Sequence, residues 1–155
     1  MGGGGLLLVA MVAALALTVM PAFGYRALVV RSGSMAPAIE TGDLIVSRQV
    51  VPSRIVPGDV VTFSDPSGDG DLVTHRVVEA TAGTGTFTFV TKGDANTASE
   101  TWSTDEDAPL GLVSATLPSA GYVVAVLAQP FVRGALILIG AAVLGGAALL
   151  RIWRR

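Results

Sequence analysis

The stretch Leu72–Asp94, LVTHRVVEATAGTGTFTFVTKGD, decides what kind of domain this chain builds. Leu72–Val78 and Thr86–Thr91 are short runs rich in β-branched and aromatic residues, and Ala82-Gly83-Thr84-Gly85 between them supplies the small residues that reverse a chain. They predict two strands about a turn. Upstream, Asp43–Ser47 (DLIVS) and Asp59–Phe63 (DVVTF) have the same character, each introduced by turn chemistry at Thr41-Gly42-Asp43 and Pro57-Gly58-Asp59. Asp65–Gly70, DPSGDG, is a further reversal. No helical period of useful length and no internal repeat interrupts this part, so residues 26–120 read as one mostly β domain. Residues 95–109 are polar, weakly patterned and acidic toward their end, which predicts a surface loop.

The two ends differ from the middle. Leu6–Phe23 and Gly134–Leu150 carry no charge and are long enough to cross the hydrocarbon core of a bilayer as helices. The whole chain of 155 residues is 51% hydrophobic and 14% charged, and that apolar excess sits at its ends, as membrane attachment requires. Ala22-Phe23-Gly24 would also suit cleavage of a signal peptide, but Met1–Gly5 lacks the basic residue such a leader carries. A retained anchor is the better reading. The tail Arg151–Arg155 (RIWRR) places clustered arginines and an interfacial tryptophan after the second run, which assigns it to the cytoplasm. With two spans the N-terminus joins it there, and the middle faces outward in a multi-pass cell-membrane protein. Arg26 and Arg31, just outside the first span, run mildly against that orientation.

Composition also excludes. A net charge of −2 offers no basic field for nucleic acid. With no cysteine there is no disulfide, no thiolate zinc site and no cysteine nucleophile. Gly2–Gly5 lacks the lysine and helix that a phosphate-cradling loop needs, so no cofactor is expected. The chain holds one histidine, His75, and one lysine, Lys92. A serine hydroxyl attacks a peptide carbonyl only with a neighbouring base to take its proton, and these two residues are the candidates. An imidazole needs little tuning for that work, whereas an ammonium must first be buried and strongly depressed, which favours His75.

The blocks SGSMAP (Ser32–Pro37), GDLIVS (Gly42–Ser47), PGDVVTF (Pro57–Phe63), VTHRVV (Val73–Val78) and TKGDAN (Thr91–Asn96), in that order, resemble a type I signal peptidase. They resemble in particular the archaeal and endoplasmic-reticulum type, in which a histidine stands where the eubacterial type has lysine. The resemblance implies a compact signal-peptidase-like β catalytic domain flanked by N-terminal and C-terminal transmembrane helices. It also implies Ser34 as the nucleophile, with Ser32, two residues away, joining the Ser34 backbone N–H in stabilising the oxyanion. Gly33 between them allows close approach of a substrate backbone, Pro37 fixes the following turn, and Met35 is expected in the core or at the lipid surface. The acid that orients His75 is either Asp94, of the KGD block, or Glu100, at a position where similar chains carry aspartate. Asp105, Glu106 and Asp107 read as a solvated acidic patch, and Asp43 and Asp59 as turn or strand-start residues.

The expected activity is removal of signal peptides from secreted preproteins at the outer membrane surface, with the substrate added as an extended strand. Membrane lipid and the preprotein are the partners, and accessory subunits are left open. Two rivals are a repressor-like self-cleaving protease, disfavoured by the spans and the histidine, and a non-catalytic membrane-anchored β module that scaffolds surface proteins.

Overall fold

A computed structural model describes Gly5 and residues 19–65, 70–127 and 129–153. The chain divides into two compact units, Met1–Gly121 and Tyr122–Arg155. The first holds seven strands: β1 (Tyr25–Val29), β2 (Leu44–Val50), β3 (Val60–Ser64), β4 (Leu72–Ala82), β5 (Thr86–Lys92), β6 (Glu100–Asp105) and β7 (Leu110–Leu117). They form one sheet in the order β1-β2-β7-β3-β4-β5-β6, and every neighbouring pair is antiparallel. The four runs predicted as strands are β2 to β5. The turn at Ala82–Gly85 closes β4 on β5 with Gly85 at φ 73° and a Gly83 N–H to Thr86 carbonyl bond of 2.8 Å.

The core follows from strand alternation, since successive side chains point to opposite faces. Val61 and Phe63 of β3, Val77 of β4, Phe89 of β5 and Trp102 of β6 meet on the inner face with Val50, Ile55 and Leu110. Each such side chain stabilises the domain by roughly 1.5–3 kcal/mol relative to exposure. Phe63 stacks on Trp102 with ring centroids 4.1 Å apart, and the Trp102 indole N–H donates to Thr91 Oγ1 at 3.0 Å. A second cluster joins Met35, Ile39 and Ile45 to Leu28, Val30, Val60 and Val113. Met35 therefore belongs to the core, one of the two places expected for it.

One expectation is corrected. Residues 95–109 are not simply a surface loop, because β6 lies inside them and pairs with β5 from Thr86↔Asp105 to Thr91↔Glu100. Its sequence, ETWSTD, buries only Trp102 and exposes most of the rest, so an edge strand with one inward anchor looked like polar loop. β1 and β7 complete the sheet within the stretch read as β.

The chain continues through α1 (Ala120–Leu127) into the second unit, which holds α2 (Pro130–Trp153). Most of the first expected anchor, residues 6–18, lies outside the described residues, and Met20–Phe23 form a short 3-10 turn. The second uncharged run, Gly134–Leu150, is helical within α2, several of whose side chains are also outside the described set. Among the described residues no helix is long and apolar enough to cross a membrane, so the two transmembrane helices expected from the sequence are not seen there.

Candidate active site

Past β1 the chain turns through Gly33–Ile39, held by an Ala36 N–H to Gly33 carbonyl bond of 3.0 Å and an Ile39 N–H to Met35 carbonyl bond of 2.9 Å. Buried Met35 and Ile39 fasten this turn to the core, which leaves Ser32 and Gly33 exposed and Ser34 half-buried beside them. The Ala36–Pro37 peptide is cis. Ser32 Oγ lies 3.3 Å from Ser34 Oγ, so the two hydroxyls point to a common place. A Cβ at Gly33 would meet nothing nearer than Thr41 Oγ1 at 4.0 Å, and the segment is open on that side.

His75 stands on the inner face of β4, opposite Val61 of β3, with only 3% of its surface exposed and its ring edge-on to Phe63. Its Nδ1 is buried and makes no hydrogen bond. Glu100 Oε2 lies 3.6 Å from that atom. Register explains the approach: Thr91 pairs with both Val77 and Glu100, so these three form one inner row, and His75 is two residues along β4 on the same face. Facing Nδ1 with a carboxylate leaves Nε2 for a nucleophile. Ser32, Ser34, His75 and Glu100 line one groove of about 790 Å³, together with Asn96.

Asp94 is placed differently. Its carboxylate accepts from Arg76 Nε at 2.9 Å and Arg76 Nη2 at 2.7 Å, a bidentate pair that holds its pKa below the ordinary carboxylate range. Arg76 also donates through Nη1 to the Gly58 carbonyl at 3.0 Å. Arg76, next to His75 on β4, points to the other face of the sheet, and so does its register partner Lys92. That separates the lone lysine from His75. The brace nevertheless reaches Ser34, because the Gly93–Asn96 turn grips it: Ala95 N–H donates to the Ser34 carbonyl at 2.9 Å. A Cβ at Gly93 would sit 2.6 Å from that same oxygen, so only glycine fits there.

The loop after Ser34 is pinned by Asp43, which is buried. Its Oδ2 accepts from Glu40 N–H and its Oδ1 from Ser119 N–H, each at 2.9 Å, and these two bonds lower its pKa. Asp59 Oδ2 likewise accepts from Val56 N–H at 3.0 Å. Both aspartates are turn residues, as expected, and Asp105, Glu106 and Asp107 are exposed. Sequence reasoning missed Arg76, although the signal was present. Arg76 pairs in register with Lys92 at the end of β5, two residues before Asp94, and that is an ion-pair position.

Residues 5–85 match the family described as "Signal peptidase, peptidase S26". The chain is 39% identical over 79 residues to Signal peptidase I W of Bacillus subtilis, covering 50% of this chain and 40% of that one. It is 34% identical over 119 residues to the signal peptidase complex catalytic subunit SEC11 of Pyricularia oryzae, covering 70% of this chain and 68% of that one. The corresponding subunit of Colletotrichum graminicola is 33% identical over 119 residues, with the same coverage of 70% and 68%.

Proposed function

The chain belongs to the signal peptidase family, peptidase S26, as a serine endopeptidase of the endoplasmic-reticulum and archaeal type, and we propose that Ser34, His75 and Glu100 perform its chemistry. His75 Nε2 takes the Ser34 hydroxyl proton as Oγ attacks the scissile carbonyl carbon. The oxyanion that forms accepts hydrogen bonds from the Ser34 N–H and the Ser32 hydroxyl. His75 then passes its proton to the leaving amine, which releases the mature protein and leaves the signal peptide esterified to Ser34. Water, deprotonated by His75, hydrolyses that ester and restores the hydroxyl. Glu100 holds the imidazole tautomer and stabilises its cation, while Asp94 acts through Arg76 and the Gly93–Asn96 turn as a positioning residue.

The observation that carries this reading is the buried, otherwise unbonded His75 Nδ1 facing Glu100 Oε2 at 3.6 Å, in the groove that also holds Ser34. The substrate is the signal-peptide junction of a secreted preprotein. Leu6–Phe23 and Gly134–Leu150 anchor the chain in the membrane, the β domain lies outside, and Arg151–Arg155 forms the cytoplasmic tail. Two of the relatives are named as catalytic subunits of a complex, which supports partner subunits here too.

The test is cleavage of a radiolabelled preprotein by the full chain in liposomes. Wild type releases mature protein at the signal junction; Ser34→Ala and His75→Ala do not. His75→Lys also fails, because a lysine there would need a large pKa depression before it could accept a proton. Retained cleavage by Ser34→Ala overturns the assignment.

A further inference from the structure

The groove has a second arm that the chemistry above does not use. It encloses about 470 Å³ and shares Leu28, Thr62 and Leu72 with the arm holding Ser34 and His75. The two arms therefore adjoin at these residues. Arg26 and Leu28 of β1 line it on one side and Thr101–Thr104 of β6 on the other. Among the described residues β1 pairs only with β2 and β6 only with β5, so each brings a free strand edge to this arm. Free edges carry unpaired N–H and C=O groups, which an extended polypeptide can satisfy.

Charge makes this arm selective. Arg26 pairs in register with Ser47, and both line this arm, so their side chains share one face of β1 and β2. A guanidinium at such a position has its outlet in the groove, beside Gln49 and Thr104. Among the described residues no carboxylate lines this arm and none lies within ion-pair distance of Arg26. We propose that the arm is a distal substrate subsite that takes a carboxylate side chain of the preprotein, and that Arg26 is the residue that selects it. The inference rests on the peptidase reading above. A guanidinium presents a planar fork of donors suited to a carboxylate, and an extended chain lying along β1 leads from the nucleophile to it. At a rise of about 3.3 Å per residue, the substrate residue opposite Arg26 lies roughly four to eight residues from the scissile bond.

The experiment uses the full chain in liposomes and preproteins in which one aspartate or one lysine is placed at each position four to eight residues on either side of the junction. For wild type, aspartate at one position gives kcat/KM about threefold above lysine, as expected of a solvent-screened ion pair, and 0.5 M NaCl reduces the difference. Arg26→Gln removes the preference and Arg26→Glu inverts it, an inversion that misfolding cannot produce. Binding of the same peptides to Ser34→Ala, read by fluorescence anisotropy, reports the charge preference without turnover. Cleavage by wild type with no charge preference at any position overturns the subsite and leaves the peptidase intact. A preference that persists in Arg26→Gln also overturns it. So does an Arg26→Gln variant that merely aggregates, with binding preferences as in wild type, since that makes Arg26 only a guard of the β1 edge. Failure of wild type to cleave any preprotein, both alone and with a membrane extract that supplies partner subunits, overturns the peptidase reading instead, and the anisotropy series then decides the subsite alone.

Discussion

The two acids near Ser34 have different partners, and on the proposed mechanism that difference is measurable at single residues. Glu100→Gln removes the charge facing His75 Nδ1 and should lower kcat on the order of 10- to 100-fold, less than for a fully buried triad acid because Glu100 is half-exposed. Asp94→Asn breaks the bidentate pair with Arg76 instead. A partly exposed pair of good geometry is worth about 1 kcal/mol, so this variant should lose stability and less activity than Glu100→Gln. The pH dependence has a definite sign. Arg76 depresses the Asp94 pKa in the folded state, so the stabilisation is complete above the unfolded carboxylate's value of about 4 and fades as pH falls through the folded one. Urea unfolding of wild type and Asp94→Asn should differ at neutral pH and converge below about pH 4.

At the scale of elements, the site is made by a strand end, a turn and an edge. The Gly93–Asn96 turn closes on the Ser34 carbonyl so tightly that Gly93→Ala must push either the turn or Ser34 aside. Overpacking of this kind costs about 1–3 kcal/mol, and the displaced Ser34 should lower kcat more than it raises KM. Thermal unfolding and steady-state cleavage of that variant check both effects. β6 depends on one residue. Trp102→Ala removes the stack on Phe63 and leaves the Thr91 hydroxyl without its buried donor, at about 3–5 kcal/mol. Trp102→Phe keeps most of the packing and should cost about 1–2 kcal/mol, read from urea unfolding.

For the whole molecule, the proposed topology makes a prediction that is independent of catalysis. In right-side-out vesicles, added protease should digest the β domain and spare a tag placed after Arg155, and alkaline carbonate should leave the chain in the pellet. Digestion of the tag in sealed vesicles would reverse the assigned orientation. Phe131, Leu138 and Trp153 of α2 are strongly exposed, at 86%, 72% and 88%.

The sequence by itself determined the β character, four of the seven strands and the residue types of the chemistry, because β-branched runs, Gly-Asp turns and a lone histidine are local signals. Its pattern of blocks also pointed to the family. It did not reveal β6, since an edge strand anchored by a single tryptophan has the composition of a loop. Nor could it choose between Asp94 and Glu100. Tertiary structure separates the two, through which face of the sheet each carboxylate reaches, and the proposed role of Glu100 rests on that separation. Strand register sets Glu100 in the inner row beside His75, while Arg76, pointing outward from the next position on β4, claims Asp94.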